Sequence, residues 1–169
     1  NVHTFPNNVT AVLLFNQATG PLKDIRVRKA VSHAIDRKAI IAGTQFGMAR
    51  VASCLYPDDH WAHNPKLKPV EYDPELSKKL LAEAGFKNGL TLRGLNYNYS
   101  GSITLGTVIK NMLAKVGIEW KVNVFDPVAT GVRYRNLEYD IAVSAMPYIQ
   151  DPDAHASYIY HPDGGIPFD

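Results

Sequence analysis

The apolar residues of this chain change period several times, and each change marks an element. Val9 to Phe15 is a continuous apolar run rich in strand formers, bounded by Asn7-Asn8 and by Thr19-Gly20-Pro21, and it reads as a buried strand. From Asp24 the period lengthens. Val27, Ala30, Val31, Ala34 and Ile35 form one stripe of a helix over 25–35, with Asp24 placed to accept its first free amides and Arg26, Arg28 and Lys29 on the other faces. Asp36 can cap a second helix through Ala39, Ile40 and Ile41, ended by Gly43 or Gly47. Between Met48 and Pro69 the period vanishes, which predicts a long irregular segment over the surface.

Asp73-Pro74-Glu75 is a strong helix start: Asp caps, Pro suits the first turn, and Glu faces the positive end of the dipole. Leu76, Leu80, Leu81 and Ala84 then point inward, Gly85 closes the helix, and Leu90 to Tyr97 alternates as a strand. The same unit recurs. Leu105, Val108, Ile109, Met112, Leu113 and Val116 keep helical spacing, Gly117 follows, and Ile118 to Phe125 alternates. A shorter helix over 128–136, a strand over 139–145 and a proline-broken loop over 147–152 complete the pattern. Strands alternating with helices predict an α/β architecture, a sheet flanked by helices.

Composition narrows this only a little. A length of 169 residues suits one compact unit, and 46% hydrophobic with 20% charged residues is ordinary globular usage. Eighteen basic and sixteen acidic residues leave a net charge of +2, with the bases scattered, so a nucleic-acid partner is not expected. No apolar run reaches the roughly 18 residues of a spanning helix. Cys54 has no second cysteine to pair with and reads as a packed small hydrophobe. Asn1 at the start and Ile166-Pro167-Phe168-Asp169 at the end read as cuts through a longer polypeptide.

Specific strings carry a function class that periodicity does not. Asp24-Ile25-Arg26-Val27-Arg28-Lys29-Ala30 through Ala34-Ile35-Asp36-Arg37 resembles the D-x-R-V-R-x-A-x-x-x-A-I-D-R signature of extracellular solute-binding proteins of the peptide and nickel class. Tyr72-Asp73-Pro74 with Leu80 to Gly85, then Leu113 to Ile118, then Tyr139 to Ala142 with Asp151-Pro152-Asp153, resemble the same family in the same order. The resemblance implies the second lobe of a two-lobed protein, over residues 1–169, with lobe I and a C-terminal return segment absent. It also implies a precursor with a signal peptide, a periplasmic or extracellular location in which membrane association is left open, and delivery of a small ligand to a membrane-embedded ABC permease. The ligand class is a peptide, a sugar-like molecule or another polar solute. No cofactor is expected. The signature itself reads as structural, since a charge run at a helix start bridges neighbouring segments more often than it meets a ligand.

Ligands of open α/β sheets sit outside the carboxyl ends of the strands. The loop Met146-Pro147-Tyr148-Ile149-Gln150-Asp151 is therefore the first candidate, and the resembling family lines its cleft with this loop. Met146 stands where the family often has an aromatic, and the loop is about one residue short, so the acid that holds a peptide amino terminus has no obvious counterpart. Tyr148 and Gln150 offer a stacking face and an amide instead. Asn96, Tyr97, Asn98 and Tyr99 end another strand and can reach the same rim, and Arg135 is a candidate base for an anionic ligand end. The plain alternatives are an asparagine-rich turn, a solvated arginine, and Asp151 and Asp153 capping a short helix over 154–160. His60 and His63 lack a third and fourth ligand at metal-site spacing, so no metal site is expected. Two rival functions are a hydrolase using Asp151, Asp153 and His155, and a stand-alone interaction module; the chain has no G-x-S-x-G, H-E-x-x-H or phosphate-cradling glycine loop.

Overall fold

The computed structural model describes residues 9–147, 151–154 and 157. Four strands, β1 (Val9–Phe15), β2 (Leu90–Tyr97), β3 (Ile118–Phe125) and β4 (Ile141–Pro147), form one sheet in the order β1-β4-β2-β3. β2 runs parallel to β3 and to β4, while β1 is antiparallel to β4. Accompanying them among the described residues are the α-helices α1 (Ile25–His33), α2 (Arg37–Thr44), α3 (Pro74–Glu83), α4 (Ser100–Ala114) and α5 (Pro127–Arg135).

The helix starts follow from their caps. The carboxylates of Asp24, Asp36, Asp73 and Asp126 each accept a backbone amide in the first turn of α1, α2, α3 and α5. Gly85 and Gly117 close α3 and the turn after α4 at φ 92° and 86°, a region open to glycine. Residues 45–73 contain neither helix nor strand.

Side-chain alternation assigns the layers. Leu90, Leu92, Ile118, Trp120, Ile141 and Val143 face a core shared with Val27, Ala30 and Val31 of α1, Leu81 of α3, and Ile109 and Leu113 of α4. On the other face, Leu95 and Ala142 pack with Tyr139, Tyr134 and Leu137 beneath α5. The signature arginines tie elements together. The Arg28 guanidinium donates to Leu22 O (2.8 Å) and Lys23 O (2.9 Å), and Arg26 donates to Asp24 and to Glu83 O at the end of α3 (2.7 Å).

Several elements differ from the sequence reading, beginning with α1, which ends at His33 rather than at Ile35. β1 is an edge strand with Val9 half exposed, not a buried one; an apolar run cannot show whether a strand has one neighbour or two. α5 begins at Pro127 because Asp126 caps it, and it ends at Arg135. β4 starts two residues later than expected and continues through Met146 and Pro147, because Thr10 and Val9 of β1 pair with them.

Gly94 permits close packing within the sheet. A Cβ there would stand 2.7 Å from Trp120 Nε1 and 2.8 Å from Val122 Cα, and Trp120 is fully buried. Gly94→Ala is expected to cost about 1–3 kcal/mol through overpacking, read as a lower urea midpoint at unchanged slope.

Candidate functional site

The parallel strands bring the ends of β2, β3 and β4 to one edge, at Tyr97, Phe125 and Pro147. The segment through α4 leads from β2 to β3 on one side, and the segment through α5 leads from β3 back past β2 to β4 on its other side, which places the β2–β4 boundary inside the sheet. That boundary pairs only Gly94 with Ile141 and Leu95 with Ala142. Both strands run on past the ladder, to Tyr97 and Pro147, so their carboxyl ends are left unzipped.

Asn96 sits where the strands part and is buried. Its Oδ1 accepts the Tyr97 amide (2.9 Å) and the Ser102 hydroxyl, and its Nδ2 donates to Ser102 O (2.9 Å). Its amide thus replaces the missing strand partner and anchors the start of α4. Asn98 and Tyr99 are exposed, and the rings of Tyr97 and Tyr99 lie 6.2 Å apart.

α4 differs from the other helices at this edge. Its N-cap is Tyr99, no side chain among the described residues caps it, and Ile103 is the first residue whose amide bonds back, to Tyr99 O (3.0 Å). The positive end of a 15-residue helix is therefore open at the rim. α5 starts at the same edge but is closed by Asp126, which accepts the amides of Val128 and Ala129 (both 2.9 Å). Val128 is 78% exposed, and the Arg133 guanidinium lies 3.9 Å over the Phe125 ring.

The other candidates fall as follows. Met146 is turned inward and packs with Val12, Leu14, Leu55 and Tyr134, while Pro147 is exposed at the strand end. Tyr148, Ile149, Gln150 and His155 lie outside the described residues. Asp151 accepts the amide of Asp153 through its side chain (2.9 Å) and that of Ala154 through its carbonyl (3.2 Å), so it caps the turn that follows, a role that needs no acid/base chemistry. Arg135 is exposed, and α5 carries it roughly 13 Å from the rim at 1.5 Å per residue.

The irregular segment reaches this edge as well. The Tyr56 hydroxyl donates to Pro152 O (3.4 Å), and its ring stacks on buried His60, which in turn stacks on Trp61. His60 Nδ1 accepts the Ala62 amide (3.0 Å), and the Cys54 thiol donates to Tyr56 O (3.2 Å). Sequence reasoning named Tyr99 at this rim but missed Val128 and the Phe125–Arg133 stack. Asp126-Pro127 repeats the helix-start pair of Asp73-Pro74 and was a usable signal for α5.

Comparison with known proteins fits this geometry. The dipeptide-binding protein of Escherichia coli strain K12 is 30% identical over 134 residues, covering 75% of this chain and 24% of that protein. The nickel-binding periplasmic protein of the same strain is 26% identical over 170 residues, covering 95% and 30%. In structure, the ABC transporter-associated periplasmic binding protein DppA from Helicobacter pylori, in complex with the peptide STSA, superposes with a TM-score of 0.81 at 29% identity, covering 86% of this chain and 28% of that one. The chain thus spans between a quarter and a third of the length of these proteins. Residues 1–166 match the bacterial extracellular solute-binding proteins, family 5, middle region, and the chain belongs to that family.

Proposed function

We propose that the chain is part of the second lobe of a two-lobed solute-binding protein, and that its carboxyl edge forms one wall of a cleft for a peptide or another small polar solute. The whole protein passes this ligand, in the periplasm or outside the cell, to a membrane-embedded ABC permease. The observation that carries the reading is the unzipped end of β2 and β4 beside the uncapped start of α4, in a chain of this family. Open amides at a helix start suit a carboxylate or another electron-rich group of a ligand. The exposed Tyr99 ring beside them offers apolar area with a polar tip. Binding without turnover is also supported by Asp151, whose carboxylate already caps a turn.

The roles of Asn96 and Tyr99 separate structure from binding. Asn96→Ala removes the acceptor of two donors at a buried position and is expected to cost about 1–3 kcal/mol of folding stability, measured by urea unfolding. Tyr99→Ala is expected to stay within about 0.5 kcal/mol of the parent. The function itself is tested on the full-length protein by thermal unfolding against a panel of short peptides and small polar solutes. A true ligand at a hundred times its Kd adds about 2.7 kcal/mol of stability, and Tyr99→Ala is expected to reduce that gain. Hydrolysis of any panel member, or no stabilisation by any of them, argues against the proposal.

A further inference from the structure

A second feature lies at the opposite edge of the sheet, where β2 and β3 begin. A depression of about 550 Å³ opens there between the ends of α3 and α4. Its floor is backbone and apolar carbon. Gly89 and Gly117 approach so closely that a Cβ on Gly89 would stand 3.3 Å from Gly117 O, and Phe86, half-buried, adds an aromatic surface beside them.

The rim is basic. Lys78, Lys79, Lys87 and Lys115 line it, against the single carboxylate of Glu75. Glu75 is paired with Lys78 (2.9 Å), and Lys79 reaches Glu83 at 4.0 Å. Among the described residues, Lys87 and Lys115 have no carboxylate within ion-pairing distance. Four lysines against Glu75 and Glu83 leave two positive charges. The carbonyl ends of α3 and α4, each worth about half a negative charge, offset roughly one of them. A positive surplus therefore remains over an apolar floor, more than the helix ends alone require.

We propose that this depression docks an acidic segment of a partner protein, its carboxylates on Lys87 and Lys115 and an apolar side chain against Phe86. Strands of eight residues place it roughly 26 Å from the carboxyl edge, so ligand and partner can be held together. The site does not depend on the ligand reading, and either can fail without the other.

The test is fluorescence anisotropy of a labelled peptide alternating Glu and Leu, titrated with the intact chain, beside a peptide with Gln in place of Glu. Saturable binding of the Glu peptide that weakens with salt is expected, with none for the Gln peptide. Lys87→Glu/Lys115→Glu is expected to weaken binding about tenfold, whereas Lys38→Glu, on α2 and outside the depression, leaves it unchanged. All three lysines are exposed, so the variants stay folded, with Lys115→Glu, at the carbonyl end of α4, lowering the circular-dichroism melt by at most a few degrees. Equal binding by the parent and the double variant overturns the proposal. So do an equal loss with Lys38→Glu, and binding to phosphatidylglycerol vesicles without binding to the peptide.

Discussion

The sheet depends on the carboxylate of Asp140. Seven residue pairs join β1 to β4 and eight join β2 to β3, but only two join β4 to β2, so the two halves would meet along a very short ladder. Asp140 lengthens the seam on its closed side. Its amide donates to Arg93 O (3.0 Å), while its carboxylate accepts the Arg93 amide (2.7 Å) and the Arg93 guanidinium (2.9 Å). The carboxylate is buried and the guanidinium is half in water, so the backbone bond and the low-dielectric position of Asp140 matter more than the exposed half of the ion pair. Hydrogen bonding to the same carboxylate raises the Arg93 guanidinium further above its already high ordinary pKa.

The tie continues into β1. The Asn16 amide donates to Asp140 O (3.0 Å), and its side chain, buried after the end of β1, donates to Tyr139 O (3.0 Å) and Leu137 O (3.3 Å) while accepting the amides of Ala18 and Thr19. Leu137 holds a left-handed backbone, φ 53°, at an expense of roughly 1–2 kcal/mol. Its carbonyl meets Asn16, and its side chain packs in the core beneath α5. Three strands are thus bound at one end of the seam, while the other end, past Leu95 and Ala142, is free to part. An opening between β2 and β4 is stable only because the opposite end is tied this firmly.

Much of this was legible in the sequence wherever a local rule acts alone. Asp24, Asp36 and Asp73 cap where their spacing places them, Gly85 and Gly117 take the positive φ expected of them, and both helix–strand units fall where the period changes. What escaped depends on partners distant in sequence. β4 extends through Pro147 because β1, more than a hundred residues earlier, pairs with it, and a period-2 pattern cannot report a partner. Met146 and Asn96 looked like rim residues because they stand near strand ends. Alternation and burial turn both of them inward, and that depends on which faces α4, α5 and the irregular segment cover. Tyr99, which the strand-end pattern offered as a rim residue, is exposed after β2 as the N-cap of α4, a position that the pattern alone does not report.

This division between tied and untied residues constrains which positions at this edge of the sheet can vary. Asn16, Asn96 and Asp140 each hold two or more partners at a buried position, so replacing any of them leaves polar groups stranded at about 1–3 kcal/mol apiece. Asn98, Tyr99 and Val128 lie exposed around the same edge, where substitutions usually move stability by no more than about 0.5 kcal/mol. The outer rim can therefore vary without disturbing the seam, which leaves it free to set ligand preference under the proposed cleft reading. The inner residues can change only together with the partners they satisfy, because a single replacement removes a large part of the few kcal/mol by which a domain of this size is stable.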